Sequence, residues 1–246
     1  MAAAPGNTRT RRAPVRPLFD PKEQPWEVGH SRFGLIPPDA LAPDVVRNVL
    51  ARPIEQPLDL PNEAAILYPG RDGTPVEAAV LVPLVMRDTG LTVLLTQRTD
   101  HLHDHAGQVS FPGGRVEQED DGPVHTALRE THEETGLSPE HVDVLGTLPR
   151  YYTGTGFAIT PITSFVRPGF SLSPDSFEVA QVFEVPLSFL TDPLNYRLHE
   201  ARLPDGRVRR YYSVPWEGFF IWGATAAMLR GLYQILAEAF SSSSLK

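Results

Sequence analysis

An amphipathic helix between strand-like segments constrains the fold of this chain more than any other feature of its sequence. Pro123 stands where the first turn of a helix tolerates proline, and Gly136 stands where a left-handed residue ends a helix. The apolar and threonine side chains between them share one stripe of the helix, within about 100° of one another. Such a stripe has to be buried against another element, so we expect a layered domain.

Runs of apolar residues on both sides of this helix predict strands. The runs lie at residues 77–85, 91–96, 142–148, 157–166, 179–185, 198–203 and 209–214. Turn residues at 88–90 and 205–206 predict a hairpin between the first two runs and a turn between the last two. Further helices are predicted at 39–52 and 219–240. We therefore expect an α/β (α+β) fold with helices on the faces of a mixed sheet.

The two ends of the chain differ in composition from its middle. Residues 1–38 hold seven prolines, and four arginines lie among the first 16 residues with no acid before Asp20. This composition predicts a disordered arm at 1–38, a folded domain at 39–240 and a disordered tail at 241–246. Two alternatives for the arm are a targeting peptide, which its prolines disfavour, and a segment that binds nucleic acid.

Charge and cysteine content exclude several classes of function. Lys and Arg number 22 against 30 Asp and Glu, a net charge of −8, so a broad grip on nucleic acid or an anionic membrane is not expected. The chain has no cysteine, which excludes disulfides, thiolate zinc sites, iron–sulfur clusters and cysteine nucleophiles. Because the chain carries a net negative charge, a polyanionic substrate would need a bound cation. Because no apolar segment marks secretion, we expect a cytoplasmic protein.

The helix at 123–135 carries a cluster of acids away from its packing stripe. Glu130, Glu133 and Glu134 lie about 120° round from that stripe, where like charges repel one another. The simplest interpretation is a solvated acidic face. The alternative is a site for Mg²⁺ or Mn²⁺, which prefer carboxylate oxygens, and Gly113 and Gly114 nearby would let the backbone approach a ligand closely.

These residues resemble the Nudix box, Gly-x5-Glu-x7-Arg-Glu-x-x-Glu-Glu-x-Gly followed by an apolar residue. The sequence RETHEETGL at 129–137 matches the second half of this pattern completely. Asp120 stands where the family has glutamate, and eight residues rather than seven separate it from Arg129. The resemblance implies a Nudix-like α/β/α sandwich around a mixed β-sheet.

Residues 94–114 resemble a motif of the coenzyme A pyrophosphatase branch of the same family. They read LLTQRTDHLHDHAGQVSFPGG, and most fixed positions of the branch pattern agree. Thr99 replaces serine or alanine, and His103 replaces an arginine that could clamp a phosphate bidentately. The resemblance implies metal-dependent hydrolysis of coenzyme A or its derivatives to adenosine 3′,5′-bisphosphate and a 4′-phosphopantetheine product.

The resemblance also implies roles for individual residues. The implied ligands of Mg²⁺ or Mn²⁺ are Glu130, Glu133, Glu134 and the carbonyl of Gly114. The implied substrate-binding residues are Arg98, His103, Gly113 and Gly114. Arg129 is expected to pair with and orient the carboxylates, and the candidates for general base are Glu133, Glu134 and Glu178.

Several alternatives stay open at the level of sequence. His101, His103 and His105 could form an imidazole metal site, although loop histidines are favoured. The aromatic residues that could either pack in the core or stack on a nucleobase are Tyr151, Tyr152, Phe157 and Trp222. The alternative functions are hydrolysis of ADP-ribose or a dinucleotide, and a catalytically silent ligand-sensing module. The expected partner is a CoA-like nucleotide, with no nucleic acid or membrane, and a homodimer is left open.

Overall fold

The computed structural model describes residues 19–54, 58–61, 74–101 and 106–243. The strands are β1 (Trp26–Val28), β2 (Val76–Arg87), β3 (Gly90–Arg98), β4 (Val109–Ser110), β5 (Gly113–Arg115), β6 (Val142–Thr147), β7 (Tyr151–Tyr152), β8 (Phe157–Val166), β9 (Val179–Pro186), β10 (Arg197–Arg202), β11 (Val208–Trp216) and β12 (Phe219–Trp222). The α-helices are α1 (Pro43–Leu50), α2 (Pro123–Thr135), α3 (Leu187–Leu190) and α4 (Gly223–Ser243). Short 3₁₀ helices lie at Pro38–Leu41, Pro139–His141 and Pro193–Asn195.

The larger sheet is mixed and is built on the predicted hairpin. β2 and β3 are antiparallel and join at Arg87 and Gly90, which confirms the turn predicted at 88–90. β8 pairs with β2 in parallel from Val76 to Val85. β6 continues the sheet beyond β8, β4 and β9 pair with β3, β5 pairs with β2, and β7 pairs with β8. The apolar runs of β2 and β3 fit strands that are covered on both faces.

Helices cover both faces of this sheet. Side chains alternate along β2, so Ala79 and Leu81 face one side while Val82 and Leu84 face the other. α2 packs on the first face, where Ala127 joins Ala79 and Leu81 in a buried cluster. α1 and α4 belong to the larger cluster on the second face, which includes Val82 and Leu84. The expected α/β/α sandwich around a mixed sheet is therefore confirmed.

A second sheet is antiparallel, with the strand order β1-β10-β11-β12. Its last strand corrects the prediction of a helix over 219–240, because residues 219–222 pair with β11 and the helix begins only at Gly223. Gly223 has a φ of +60°, a conformation that glycine adopts readily, and the chain turns there from strand into helix. In the described part of the chain, no helix combines the length and apolar character needed to cross a bilayer.

The arm predicted to be disordered is folded in its second half. Residues 1–18 lie outside the described residues, but β1 within the arm pairs with β10. The hydroxyl of Tyr233 on α4 lies 2.8 Å from the carbonyl oxygen of Phe33 and 2.9 Å from that of Gly34. Composition could not predict these bonds, because they join the arm to residues distant in sequence. α4 likewise continues to Ser243, past the predicted boundary at residue 240.

Candidate active site

The candidate site lies where β5 runs beside β2 and leads towards α2. Gly113 is opposite Val80, and Gly114 is opposite Ala79. Gly113 has a φ of +151°, and a side chain there would overlap the backbone of Ala79 and Val80. Only glycine meets both conditions, so the glycine pair brings the β5 backbone against β2 and beside the acidic end of α2.

Glu134 turns inward at the end of α2. Its side chain is 7% exposed, and Nη1 of Arg98 lies 3.7 Å from Oε1. The backbone N–H of Gly113 donates to Oε2 of Glu134 at 3.2 Å. Burial raises the pKa of Glu134 to about 8, and the charges of Glu130 and Glu178 add to this rise while Gly113 and Arg98 oppose it. An acid in this position favours either a proton or a cation.

Glu130 lies against the backbone of Gly114. A Cβ on Gly114 would overlap the Glu130 carboxylate, so glycine makes the room that these oxygens fill. Burial raises the pKa of Glu130 above its ordinary value, although Arg129 opposes the rise. The second glycine of the motif therefore has a steric role that is specific to this site.

Arg129 joins the acids of α2 to one another. Its Nη1 lies 3.0 Å from Oε1 of Glu130 and 3.2 Å from Oε2 of Glu133. The Glu133 side chain is 58% exposed, so it is the most open to solvent of the three acids that the sequence singled out. Arg129 thus pairs with the carboxylates of Glu130 and Glu133, and Glu133 is open to solvent.

Asp120 anchors the loop before α2. Its side chain is 1% exposed, and it accepts hydrogen bonds from Nε and Nη2 of Arg129, each at 3.0 Å. It also accepts from the backbone N–H of Glu117 at 2.9 Å and from the hydroxyl of Thr126 at 2.8 Å. The Arg129 guanidinium is the main reason why the pKa of Asp120 lies well below its usual range. Asp120 is therefore fully bonded to Arg129, Thr126 and Glu117, although its side chain is shorter than the glutamate of the resembled pattern and its loop is one residue longer.

Glu178 approaches the acids from a different part of the chain. It lies in the turn before β9, and its backbone carbonyl accepts from the N–H of Thr99 at 3.0 Å. Its negative charge raises the pKa of both Glu130 and Glu134. The residues that the structure brings together from the sequence prediction are Arg98, Gly113, Gly114, Arg129, Glu130, Glu133, Glu134 and Glu178. His103 lies outside the described residues.

The donor set suits a hard divalent cation. Carboxylate oxygens gather at the end of α2, and the space left by Gly114 holds the Glu130 carboxylate against the backbone. In the described ranges, no group of three histidine, aspartate or glutamate side chains is arranged to hold a metal ion, and Arg98 and Arg129 instead pair with the acids. A cation here would relieve the repulsion among the buried acids, and oxygen donors of this kind are those that Mg²⁺ and Mn²⁺ prefer.

The aromatic and histidine predictions have mixed outcomes. Tyr151 is buried in the core, and Trp222 packs edge to face on Tyr211 with 5.5 Å between ring centroids, so these two pack. His101 contacts the ring of Phe177, with centroids 4.9 Å apart, whereas His105, like His103, lies outside the described residues. The contact between His101 and Phe177 was not predicted from the sequence, because a single aromatic residue in a polar segment has no periodic signal.

Comparison with known proteins finds one matching family model and several similar proteins. The NUDIX domain model matches residues 75–202, which is more than half of the chain. A protein named "Uncharacterized Nudix hydrolase NudL" from Enterobacter sp. (strain 638) is 40% identical over 157 residues, covering 63% of this chain and 80% of its own length. The protein of the same name from Yersinia enterocolitica is 43% identical over 158 residues, covering 64% of this chain and 80% of its own length. Among solved structures, the NUDIX domain of Shewanella oneidensis NrtR complexed with ADP ribose is 23% identical with a TM-score of 0.39, covering 52% of this chain and 83% of that one.

Proposed function

The chain belongs to the NUDIX domain family, and we propose that it hydrolyses the diphosphate linkage of coenzyme A or its derivatives. At the coarser level it is a Nudix hydrolase of a nucleoside diphosphate-linked substrate. The products of the proposed reaction are adenosine 3′,5′-bisphosphate and a 4′-phosphopantetheine product. The observation that carries the proposal is the 3.7 Å contact between Arg98 and Glu134. This contact supports the proposal because it joins Arg98, one residue of the motif at 94–114, to the acidic helix.

The proposed ligands of Mg²⁺ or Mn²⁺ are the carboxylates of Glu130, Glu133 and Glu134 and the carbonyl of Gly114. When bound, such an ion neutralises the anionic oxygens of a diphosphate and lowers the pKa of the attacking water. Arg129 holds the carboxylates of Glu130 and Glu133 in place through Nη1, at 3.0 and 3.2 Å. Asp120 in turn fixes the guanidinium of Arg129, so the ligands are oriented before substrate arrives.

Arg98, Gly113 and Gly114 are the described residues that we propose to bind substrate. Arg98 presents a permanent positive charge beside Glu134, where it can pair with a phosphate oxygen. The absence of side chains on Gly113 and Gly114 lets the β5 backbone approach the diphosphate. His103 is proposed as a further contact, in the place of the arginine in the branch pattern. The proton of the attacking water passes to one acid of the set Glu133, Glu134 and Glu178.

The test is a substrate panel with products resolved by mass. Coenzyme A, an acyl coenzyme A, ADP-ribose and NADH are each incubated with Mg²⁺ or Mn²⁺ and the wild-type chain. We expect cleavage of coenzyme A or its acyl derivative to adenosine 3′,5′-bisphosphate, and loss of turnover in Glu134→Gln. Glu140→Gln is the matched control, because the Glu140 side chain is 79% exposed in the 3₁₀ turn after α2.

The other outcomes of this panel identify the alternatives. Preferred cleavage of ADP-ribose or NADH would replace coenzyme A by another nucleoside diphosphate substrate. Binding of these compounds without any turnover would indicate a ligand-sensing module instead of an enzyme of this specificity. If His103→Arg leaves the kinetics of coenzyme A hydrolysis unaltered, His103 does not bind the substrate.

A further inference from the structure

Phe177 exposes its ring to solvent although its backbone is firmly held. Phe177 as a whole residue is 64% exposed. Its N–H donates to Oδ1 of Asp175 at 2.9 Å, and its carbonyl accepts from the hydroxyl of Thr99 at 2.8 Å. The N–H groups of Glu178 and Val179 donate to the carbonyl of Asp175 at 3.0 and 2.8 Å. A bonded turn therefore presents this apolar ring outward.

Phe177 belongs to a turn that is linked in sequence and by hydrogen bonds to residues of the candidate active site. Phe177 directly precedes Glu178, whose charge raises the pKa of Glu130 and Glu134. Thr99, which bonds to the carbonyls of both Phe177 and Glu178, directly follows Arg98. Arg98 itself contacts Glu134. Two separate segments that end in the acidic site thus both run beside Phe177.

A second exposed ring accompanies Phe177. The centroid of the His101 ring lies 4.9 Å from that of Phe177, and the two planes are inclined at 59°. His101 is exposed and belongs to the segment that follows Arg98. The two rings therefore form a small aromatic surface, which we call the Phe177 platform. It adds aromatic faces beside the acids and Arg98, which can interact with the cations and phosphates of a ligand.

We propose that the Phe177 platform stacks the nucleobase of the nucleotide substrate. The inference rests on the proposed function, since it takes the phosphates to lie at Arg98 and the acids. A nucleobase joined to such a phosphate presents a flat, uncharged π-face within reach of neighbouring aromatic rings. Stacking on an aromatic side chain is tolerant of base identity, so the platform would supply affinity for the nucleoside half without selecting a single base.

The test separates the base from the phosphates by using two inhibitors of the wild-type reaction. ADP carries a base and a diphosphate, whereas inorganic pyrophosphate carries only the diphosphate. We expect Phe177→Ala to weaken inhibition by ADP and to raise the KM of the nucleotide substrate about 10-fold, with kcat nearly unchanged. Inhibition by pyrophosphate should stay within about 2-fold of the wild-type value, because the platform touches no phosphate. Phe177→Trp should restore ADP inhibition, since it keeps an aromatic face.

The matched control is Trp26→Ala, which removes another exposed aromatic ring, 49% exposed on β1 of the second sheet. It should change neither inhibitor constant. Unchanged ADP inhibition in Phe177→Ala, or an equal loss for ADP and pyrophosphate, would overturn the platform while leaving the proposed function standing. An inactive wild-type chain would instead refute the proposed function, and the platform with it. Melting curves of Phe177→Ala should match the wild type, because the ring is exposed.

Discussion

Arg129 donates a hydrogen bond to each carboxylate oxygen of Asp120, from Nε and from Nη2, at 3.0 Å each. This fork leaves Nη1 free to contact Glu130 and Glu133, so one guanidinium connects the loop anchor to two of the proposed metal ligands. A planar guanidinium fixes its donors in one plane, and the position of Nη1 is therefore determined by Asp120. Asp120 is thus connected to Glu130 and Glu133 through Arg129.

Asp120→Asn should lower turnover and metal affinity roughly 10- to 100-fold, the usual effect of removing a partner that orients metal ligands. The amide cannot accept both guanidinium bonds, so Arg129 would lose its fixed orientation. The measurements are kcat and the titration of Mn²⁺ at fixed substrate. Asp121→Asn, an exposed neighbour with the same change of charge, serves as control. Equal behaviour of the two variants would show that Asp120 has no positioning role.

Gly114→Ala should displace the Glu130 carboxylate, because the added Cβ would occupy its place. We expect a loss of turnover on the order of 10-fold or more with a retained fold, checked by circular dichroism. Gly34→Ala is the control, since nothing lies within 4 Å of a Cβ at that position and its backbone needs no positive φ. Full activity of Gly114→Ala would contradict the packing of Glu130 against this glycine.

Glu134 should make the metal-free protein less stable as the pH rises. Its pKa is about 8 in the folded chain against an ordinary value of 4.5, so the folded state holds the proton more tightly than the unfolded state does. Stability that is fully present below about pH 4.5 is therefore lost progressively as the pH rises to about 8. The slope has an upper limit of about 1.4 kcal/mol per pH unit for one proton.

The check is urea unfolding at several pH values in the presence of EDTA. Glu134→Gln should flatten the decline of the free energy of unfolding, whereas the exposed Glu140→Gln should follow the wild type. Added Mn²⁺ should also flatten the decline, because a cation then takes the place of the proton. Parallel curves for wild type and Glu134→Gln would rule out a raised pKa at this position.

Tyr233→Phe should destabilise the chain by about 1 to 2 kcal/mol, because its hydroxyl is bonded to the carbonyls of Phe33 and Gly34. The loss tests whether the segment before α1 belongs to the folded domain. Tyr152→Phe, on a side chain that is 48% exposed, is expected to change the free energy of unfolding by less than about 0.5 kcal/mol. Equal stabilities of Tyr233→Phe and the wild type would argue that residues 29–34 contribute little.

Much of the fold could be predicted because its strongest elements have local signals. Pro123 and Gly136 bound α2 at the predicted residues, and the buried runs that pair as β2, β3 and β8 were predicted from their apolar character. β12 could not be separated from α4, since an apolar run is compatible with strand and helix alike. β5 was missed because a three-residue strand with two glycines has low strand propensity.

In the candidate site, too, the features set by local sequence could be predicted, and those set by tertiary contacts could not. The spacing of Glu130, Glu133 and Glu134 placed them on one helix, but their different burial depends on the sheet that α2 covers. The hydrogen bonds between Arg129 and Asp120 depend on the conformation of the loop between them, which the sequence does not specify. Phe177 meets Thr99 only because β9 pairs with β3, a contact between distant segments.

The central claim is that the acids at the end of α2 hold a divalent cation for catalysis, and Mn²⁺ binding measured by electron paramagnetic resonance tests it most directly. Wild type, Glu130→Gln, Glu133→Gln, Glu134→Gln and the control Glu140→Gln are titrated with Mn²⁺, and turnover is measured on the same samples. We predict that the wild type and the control bind Mn²⁺ and turn over substrate, while the three variants on α2 lose both together. Turnover that persists in these variants, or in the wild type with EDTA, would contradict the account.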